Sequence, residues 1–314
     1  MTDKLINIKS TILGVLTILL FLNTFYCNTL PQSKKEIKFW MAYTLNSFRE
    51  VNPPDASAAV KVYAESLKDR IAKHYQKIAT FTATIYDSDY QIEEAYKAKK
   101  LDLLSLTSEE YFRLKKKLNI YPLIATIAGD DAFEQYLLIV RNDINITKIP
   151  DLKGKRLAIS NPNFNPMLKE WLFNLLSKNN MPDINGTFEK VKTFDKESNA
   201  VYDVFFKNSD CSIVRKKVYS TLCELNPQIK NMLAIITSSE PMVLIFAAAN
   251  AFSDQDLYNT LLEEIKDFHL TRGGKNMLNI FKSQKFIRVY ESDLQSVKNI
   301  LDENESFRKK LSSK

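Results

Sequence analysis

From Glu36 onward the chain alternates between short apolar runs and longer stretches in which apolar residues recur every three or four positions. EIKFWMAYTL is apolar and aromatic apart from its opening Glu36 and Lys38, a composition that predicts a buried strand. The loop NSFREVNPPDAS follows. Val60, Tyr63, Ala64, Leu67, Ile71 and Tyr75 then repeat at helical spacing, predicting a helix over about 57–76. KIATFTATIY reads as a second strand, 91–99 as a short helix and LDLLSLT as a third strand. SEEYFRLKKKL is again helical and NIYPLIATIA a strand.

The second half repeats the theme. FEQYLLIVRND (133–143) and RLAIS, inside DLKGKRLAISNP (151–162), read as strands. Asn165 can cap the next helix, and Pro166 suits its first position. Met167, Leu168, Trp171, Leu172, Leu175 and Leu176 form its apolar stripe. A strand around GTFEKVKTF, a helix over 198–207, the strand DCSIV, the helix RKKVYSTLCEL and the strand MLAIITSSE follow. The apolar run PMVLIFAAAN precedes two helices, over 253–268 and 272–281. A charged helical tail begins at Ser292. Strands alternating with helices predict mostly parallel sheets faced by helices. The expected division is 36–128 plus 237–290 as one lobe, 129–236 as a second, and 291–314 as the tail. A chain that leaves a lobe and returns makes two connections, a geometry suited to hinge closure around a ligand.

The N-terminus changes the picture of where the protein works. Lys4 and Lys9 precede the apolar run TILGVLTILLFL (11–22), and no charge follows until Lys34. About 12 apolar residues fall short of the roughly 20 a spanning helix needs, and the arrangement fits an export signal over 1–27. Cys27 sits where a bacterial lipoprotein carries its lipid, although Phe25 and Tyr26 stand where small residues are expected. Lipidation of Cys27, ordinary cleavage nearby and an uncleaved membrane anchor stay open. Each exports the remainder of the chain to the periplasm.

Charge and composition mainly exclude. The 314 residues carry a formal net charge of +7. The basic residues are scattered and often adjoin acids, as in EEAYKAKK, which predicts a solvated surface and no nucleic-acid partner. Such a surface steers small anions weakly. Cys211 and Cys223 permit a disulfide in an oxidising compartment, and two buried thiols fit equally. No Cys/His cluster, P-loop, G-x-S-x-G or H-E-x-x-H occurs. His74 and His269 stand without a partner motif. The expectation is a non-enzyme with no cofactor and no metal.

Three segments carry a resemblance to a known family. EEAYKAKKLDLLSLTSEEYFRL, then VRNDINITKIPDLKGKRLAISNPN, then the stretch from SDCSIVRKKVYSTL to FIRVY resemble, in that order, blocks of the phosphate/phosphonate-binding (PhnD-like) family of ABC-transporter substrate-binding proteins. The resemblance spans nearly all of the chain after the signal. It implies a type II periplasmic-binding fold, two lobes joined by a two-strand hinge, and a monomer. It also implies a small anionic solute held between the lobes and an ABC transporter permease in the inner membrane as partner.

Helix N-termini at the carboxyl ends of strands are the expected anion sites. Thr107 and Ser108 follow LDLLSL and match the family's loop, while Thr107 and Glu110 also form a T-x-x-E capping box. Ser160, Asn161, Asn163 and Asn165 follow RLAIS. The family's run of hydroxyls is there replaced by SNPNFNP, whose amides can donate. Arg215 ends DCSIV where the family often has an acid, and an Arg fork favours phosphonate, phosphate, sulfonate or carboxylate over an ammonium. Tyr43 ends the first strand where the family tends to place Tyr, and Phe133 and Tyr136 open the second lobe. The leading expectation is uptake of a small oxyanion-bearing solute. The alternative is a sensing or interaction module of the same fold that signals to a membrane partner.

Overall fold

Alternation of buried side chains along single strands explains how the molecule is layered. In the computed structural model, Phe39, Met41 and Tyr43 of strand β1 (Ile37–Thr44) enter one apolar cluster, while Ala42 enters the cluster on the opposite face. Strand β5 (Tyr136–Arg141) behaves the same way. Leu138 and Val140 point to one face, and Leu137 and Ile139 to the other. Both sheets are therefore covered twice, which is why these strands read as continuous apolar runs. The structure describes residues 36–48, 53–127, 133–161, 165–280 and 283–312. The export signal, Cys27 and Asn163 lie outside the described residues.

The first sheet has the order β11-β4-β10-β3-β1-β2, comprising β1, β2 (Ala79–Tyr86), β3 (Leu103–Thr107), β4 (Ile120–Ile127), β10 (Ile245–Asn250) and β11 (Lys285–Arg288). Strands β1 to β4 run one way, and β10 and β11 run against them. Helices α1 (Pro53–Tyr75), α9 (Gln255–Lys266) and α10 (Arg272–Ile280) belong to this unit, with α2 (Asp89–Lys97) and α3 (Ser108–Leu114) following β2 and β3. Val60, Tyr63, Leu67 and Ile71 of α1 pack with Tyr258, Leu261 and Phe268 on one face. Tyr111 and Leu114 of α3 pack with Leu104, Leu106 and Phe246 on the other. Helix α1 starts at Pro53, before the expected 57, because proline suits a first turn whose N–H has no partner.

The second sheet has the order β7-β6-β8-β5-β9, with β6 (Arg156–Ser160), β7 (Lys190–Phe194), β8 (Cys211–Arg215) and β9 (Leu233–Ser238). Strands β6, β7 and β8 are parallel, and β5 runs antiparallel to β8 and β9. Helix α4 (Pro166–Lys178) covers one face with Leu168, Trp171 and Leu172. The short α5 (Ile184–Thr187) leads to β7. Helices α6 (Glu197–Phe205) and α7 (Lys216–Leu225) cover the other face with Val201, Val204 and Leu222. Helix α8 (Pro227–Met232), capped by Asn226, was not expected from the sequence.

Two paired segments cross between the sheets. Glu134 and Met242 exchange both backbone hydrogen bonds, at 2.8 and 2.9 Å. Tyr136 and Ser239 add another pair, with Ser239 N donating to the Tyr136 carbonyl at 2.8 Å and Tyr136 N donating to the Ser239 hydroxyl at 2.9 Å. A third passage differs from the charged tail expected after 291. Leu294 lies in the first sheet's cluster, and helix α11 (Gln295–Ser312) inserts Val297 and Ile300 into the second sheet's core. The helix reads as charged because only a narrow stripe is buried. The fully buried Asn304 donates to the Glu170 carbonyl at 2.9 Å and accepts from Asn174 at 3.0 Å.

Candidate functional site

The carboxyl ends of β6 and β8 and the helix starts that follow them gather four of the expected residues. Ser160 is the last residue of β6 and 5% exposed, and its hydroxyl has no hydrogen-bond partner among the described residues. A buried hydroxyl left unpaired costs free energy, so this one marks a place where a ligand oxygen would be favourable. It stands just before the start of α4, where the helix dipole favours negative charge. Asn161 continues the loop, its N–H donating to the Phe194 carbonyl at 2.8 Å.

Asn165 has a different task from the expected cap. It precedes α4 but makes no side-chain cap bond. Its carboxamide is buried, accepts from the Tyr136 hydroxyl and donates to Glu197 Oε1 at 3.3 Å. Tyr136 in turn stacks on Trp171, ring centroids 5.9 Å apart. A capping residue needs its side chain turned back onto its own helix, and here the network across to α6 holds it instead.

Arg215 is N-terminal to α7, where a cation opposes the helix dipole. The structure supplies the compensation. Arg215 Nε donates to Glu197 Oε2 at 2.8 Å, and Glu134 Oε1 lies 3.8 Å from Nη1. Glu197 is 5% exposed. Neither acid was singled out in the sequence. Glu197 looks like an ordinary acidic residue in a helix's first turn, and Glu134 like a strand-flanking one, so only the fold reveals that both face Arg215.

The residues expected from the first sheet are engaged elsewhere. Thr107 caps α3 with the full capping box, accepting from Glu110 N at 3.3 Å while Glu110 Oε2 accepts from Thr107 N at 2.9 Å. Glu110 also accepts from the Thr44 hydroxyl at 2.7 Å and Asn46 Nδ2 at 2.8 Å. Ser108 is fully buried. Its hydroxyl donates to the Val243 carbonyl and its N–H to the Leu244 carbonyl at 3.0 Å, tying α3 to the returning segment. Tyr43 lies in the core against Phe48, with centroids 5.6 Å apart, and burial pushes its hydroxyl pKa up. Phe133 is half-exposed at the crossing.

No group of acids, histidines and cysteines among the described residues could hold a metal ion. No described helix is long and apolar enough to cross a membrane. Cys211 is buried and Cys223 half-buried, both as free thiols, and burial raises the Cys211 thiol pKa.

Two doubly covered α/β sheets joined by paired crossing strands make the two-lobed fold of type II periplasmic-binding proteins. The chain belongs to the family described as ABC transporter, phosphonate, periplasmic substrate-binding protein, whose model matches residues 51–294. Solved structures share the fold at low identity. A Xanthomonas citri protein bound to chloride ion is 14% identical with a TM-score of 0.63, over 86% of this chain and 99% of that one. The binding-protein component of an ABC phosphonate transporter from Pseudomonas aeruginosa is 13% identical with a TM-score of 0.55, over 87% of each chain. PhnD1 from Prochlorococcus marinus, in complex with methylphosphonate, is 14% identical with a TM-score of 0.54, over 83% of this chain and 96% of that one. No curated protein matches. Members of the family are periplasmic substrate-binding components that serve a membrane permease.

Proposed function

We propose that the protein captures a small oxyanion-bearing solute of the phosphonate or phosphate type between its two lobes and hands it to an ABC permease. Ser160 carries the reading, a buried hydroxyl with no partner among the described residues, beside the first turn of α4. In this reading Ser160 and Asn161 hold the oxyanion beside the first turn of α4. Asn163 adds an amide donor in this reading, and Arg215 offsets the Glu197 carboxylate beside the site. Thr107, Ser108 and Asn165 shape the cleft through their own hydrogen bonds, and Tyr43 supports β1 from the core. The lobes close about the paired crossings at Glu134–Met242 and Tyr136–Ser239. The protein works as an exported monomer. Cys27 tethers it to the membrane if it is lipidated, and the protein turns over no substrate.

A thermal-shift panel on the protein lacking its first 27 residues tests this. Phosphate, phosphite, alkylphosphonates, sulfonates and carboxylates are each added at millimolar concentration. A ligand of micromolar affinity then stabilises the fold by about 4 kcal/mol. A phosphonate or phosphate-type ligand is expected to raise the melt clearly. No shift with any oxyanion removes the reading.

A further inference from the structure

Among the described residues, the cluster around Arg215 contains more negative than positive charge. Glu197 and Glu134 bring two carboxylates, and Arg215 brings one guanidinium. Both oxygens of Glu197 are engaged, Oε2 by Arg215 Nε at 2.8 Å and Oε1 by Asn165 Nδ2 at 3.3 Å. Glu197 is 5% exposed, so solvent screens its charge poorly. It is also close to the proposed ligand loop. Asn161 bonds the Phe194 carbonyl three residues before Glu197, and Asn165 touches the carboxylate itself. Without Arg215, an anion at Ser160 would face a desolvated carboxylate, and a cationic group on the ligand would find a ready partner there.

We propose that Arg215 is the specificity-determining residue of this site. It neutralises Glu197 and stands where a ligand's ammonium would otherwise pair, so that the site takes oxyanions without an amine and disfavours amine-bearing ones. This inference rests on the proposed oxyanion site. It differs from a direct grip of Arg215 on the oxyanion, because here the guanidinium acts on the ligand through Glu197.

The test compares ethylphosphonate with 2-aminoethylphosphonate, which differ by one ammonium at neutral pH, by calorimetric titration. The wild-type protein is expected to bind ethylphosphonate at least about tenfold more tightly. In Arg215→Met the order reverses, because the Glu197 carboxylate, no longer neutralised by Arg215, repels the oxyanion and attracts the ammonium. The double variant Arg215→Met/Glu197→Gln removes the guanidinium and the buried carboxylate and leaves Glu134. It is expected to regain ethylphosphonate binding to within roughly threefold of wild type, with the preference between the two ligands reduced to a similar factor. A wild-type preference for the amine overturns the inference. So does a double variant that binds ethylphosphonate as weakly as the single one, which would show that Arg215 holds the oxyanion directly. If Arg215→Met does not fold, the wild type and the double variant decide. Failure of the wild type to bind either ligand or any other oxyanion sinks the oxyanion reading, and this inference with it. Oxyanion binding without the stated preferences sinks the inference alone.

Discussion

Replacing Ser160 by alanine should move stability and binding in opposite directions. The Ser160 hydroxyl is buried at the end of β6 and has no partner among the described residues. Burying an unpaired hydroxyl costs about 1–3 kcal/mol, and alanine removes that cost without opening a large void. At about 1 kcal/mol, a chain of this size should gain about 2 °C in melting temperature without ligand. The bound state loses instead. A hydroxyl donating to a charged oxyanion contributes about 1.5–3 kcal/mol, so the Kd should rise roughly tenfold to a hundredfold. Scanning calorimetry without ligand and titration with an alkylphosphonate read the two effects on the same preparation. A less stable free protein with unchanged affinity would show that the hydroxyl serves the fold, and the assignment of this loop to the ligand would be wrong.

Other parts of the molecule make equally concrete commitments. Asn304→Ala removes the buried amide that joins α11 to Glu170 and Asn174, and urea denaturation should show a loss of about 1–3 kcal/mol. Asp210 accepts from Arg156 at 2.7 and 3.0 Å, and that pairing holds its carboxyl pKa below the usual range. A lowered folded pKa contributes stability that is present above the unfolded carboxylate pKa and is lost as pH falls through the folded one. Asp210→Asn should therefore flatten the acid limb of a stability-versus-pH curve, and an unchanged limb would show that the pair contributes nothing. Cys211 and Cys223 are free. Alkylation under denaturing, non-reducing conditions should modify both, and recovery of a linked peptide pair would contradict the structure.

The parts that sequence could reveal were those governed by local rules. Strand β6 follows from the apolar RLAIS, and the face of α4 follows from Leu168, Trp171 and Leu172 at helical spacing. The capping box at Thr107 needs only four residues, and the structure contains it. What stayed hidden depends on residues far apart in the chain. Glu197 and Arg215 are 18 positions apart and meet only because α6 starts where β8 ends, at the carboxyl edge of one sheet. Ser108 looks free to donate until the returning segment brings the Val243 carbonyl to it, 135 positions later. Helix α11 reads as a solvated tail because its buried contacts are few, Val297, Ile300 and Asn304, among many charges. The antiparallel course of β5 and β10 is likewise set by the paired crossings, which no local pattern encodes.

Titration of methylphosphonate into the protein lacking its first 27 residues, followed by isothermal calorimetry, tests the central claim most directly. The account predicts one site per chain with a Kd of about 1 µM or tighter, weakened in Ser160→Ala. No binding heat from methylphosphonate, and none from phosphate or phosphite under the same conditions, would contradict it.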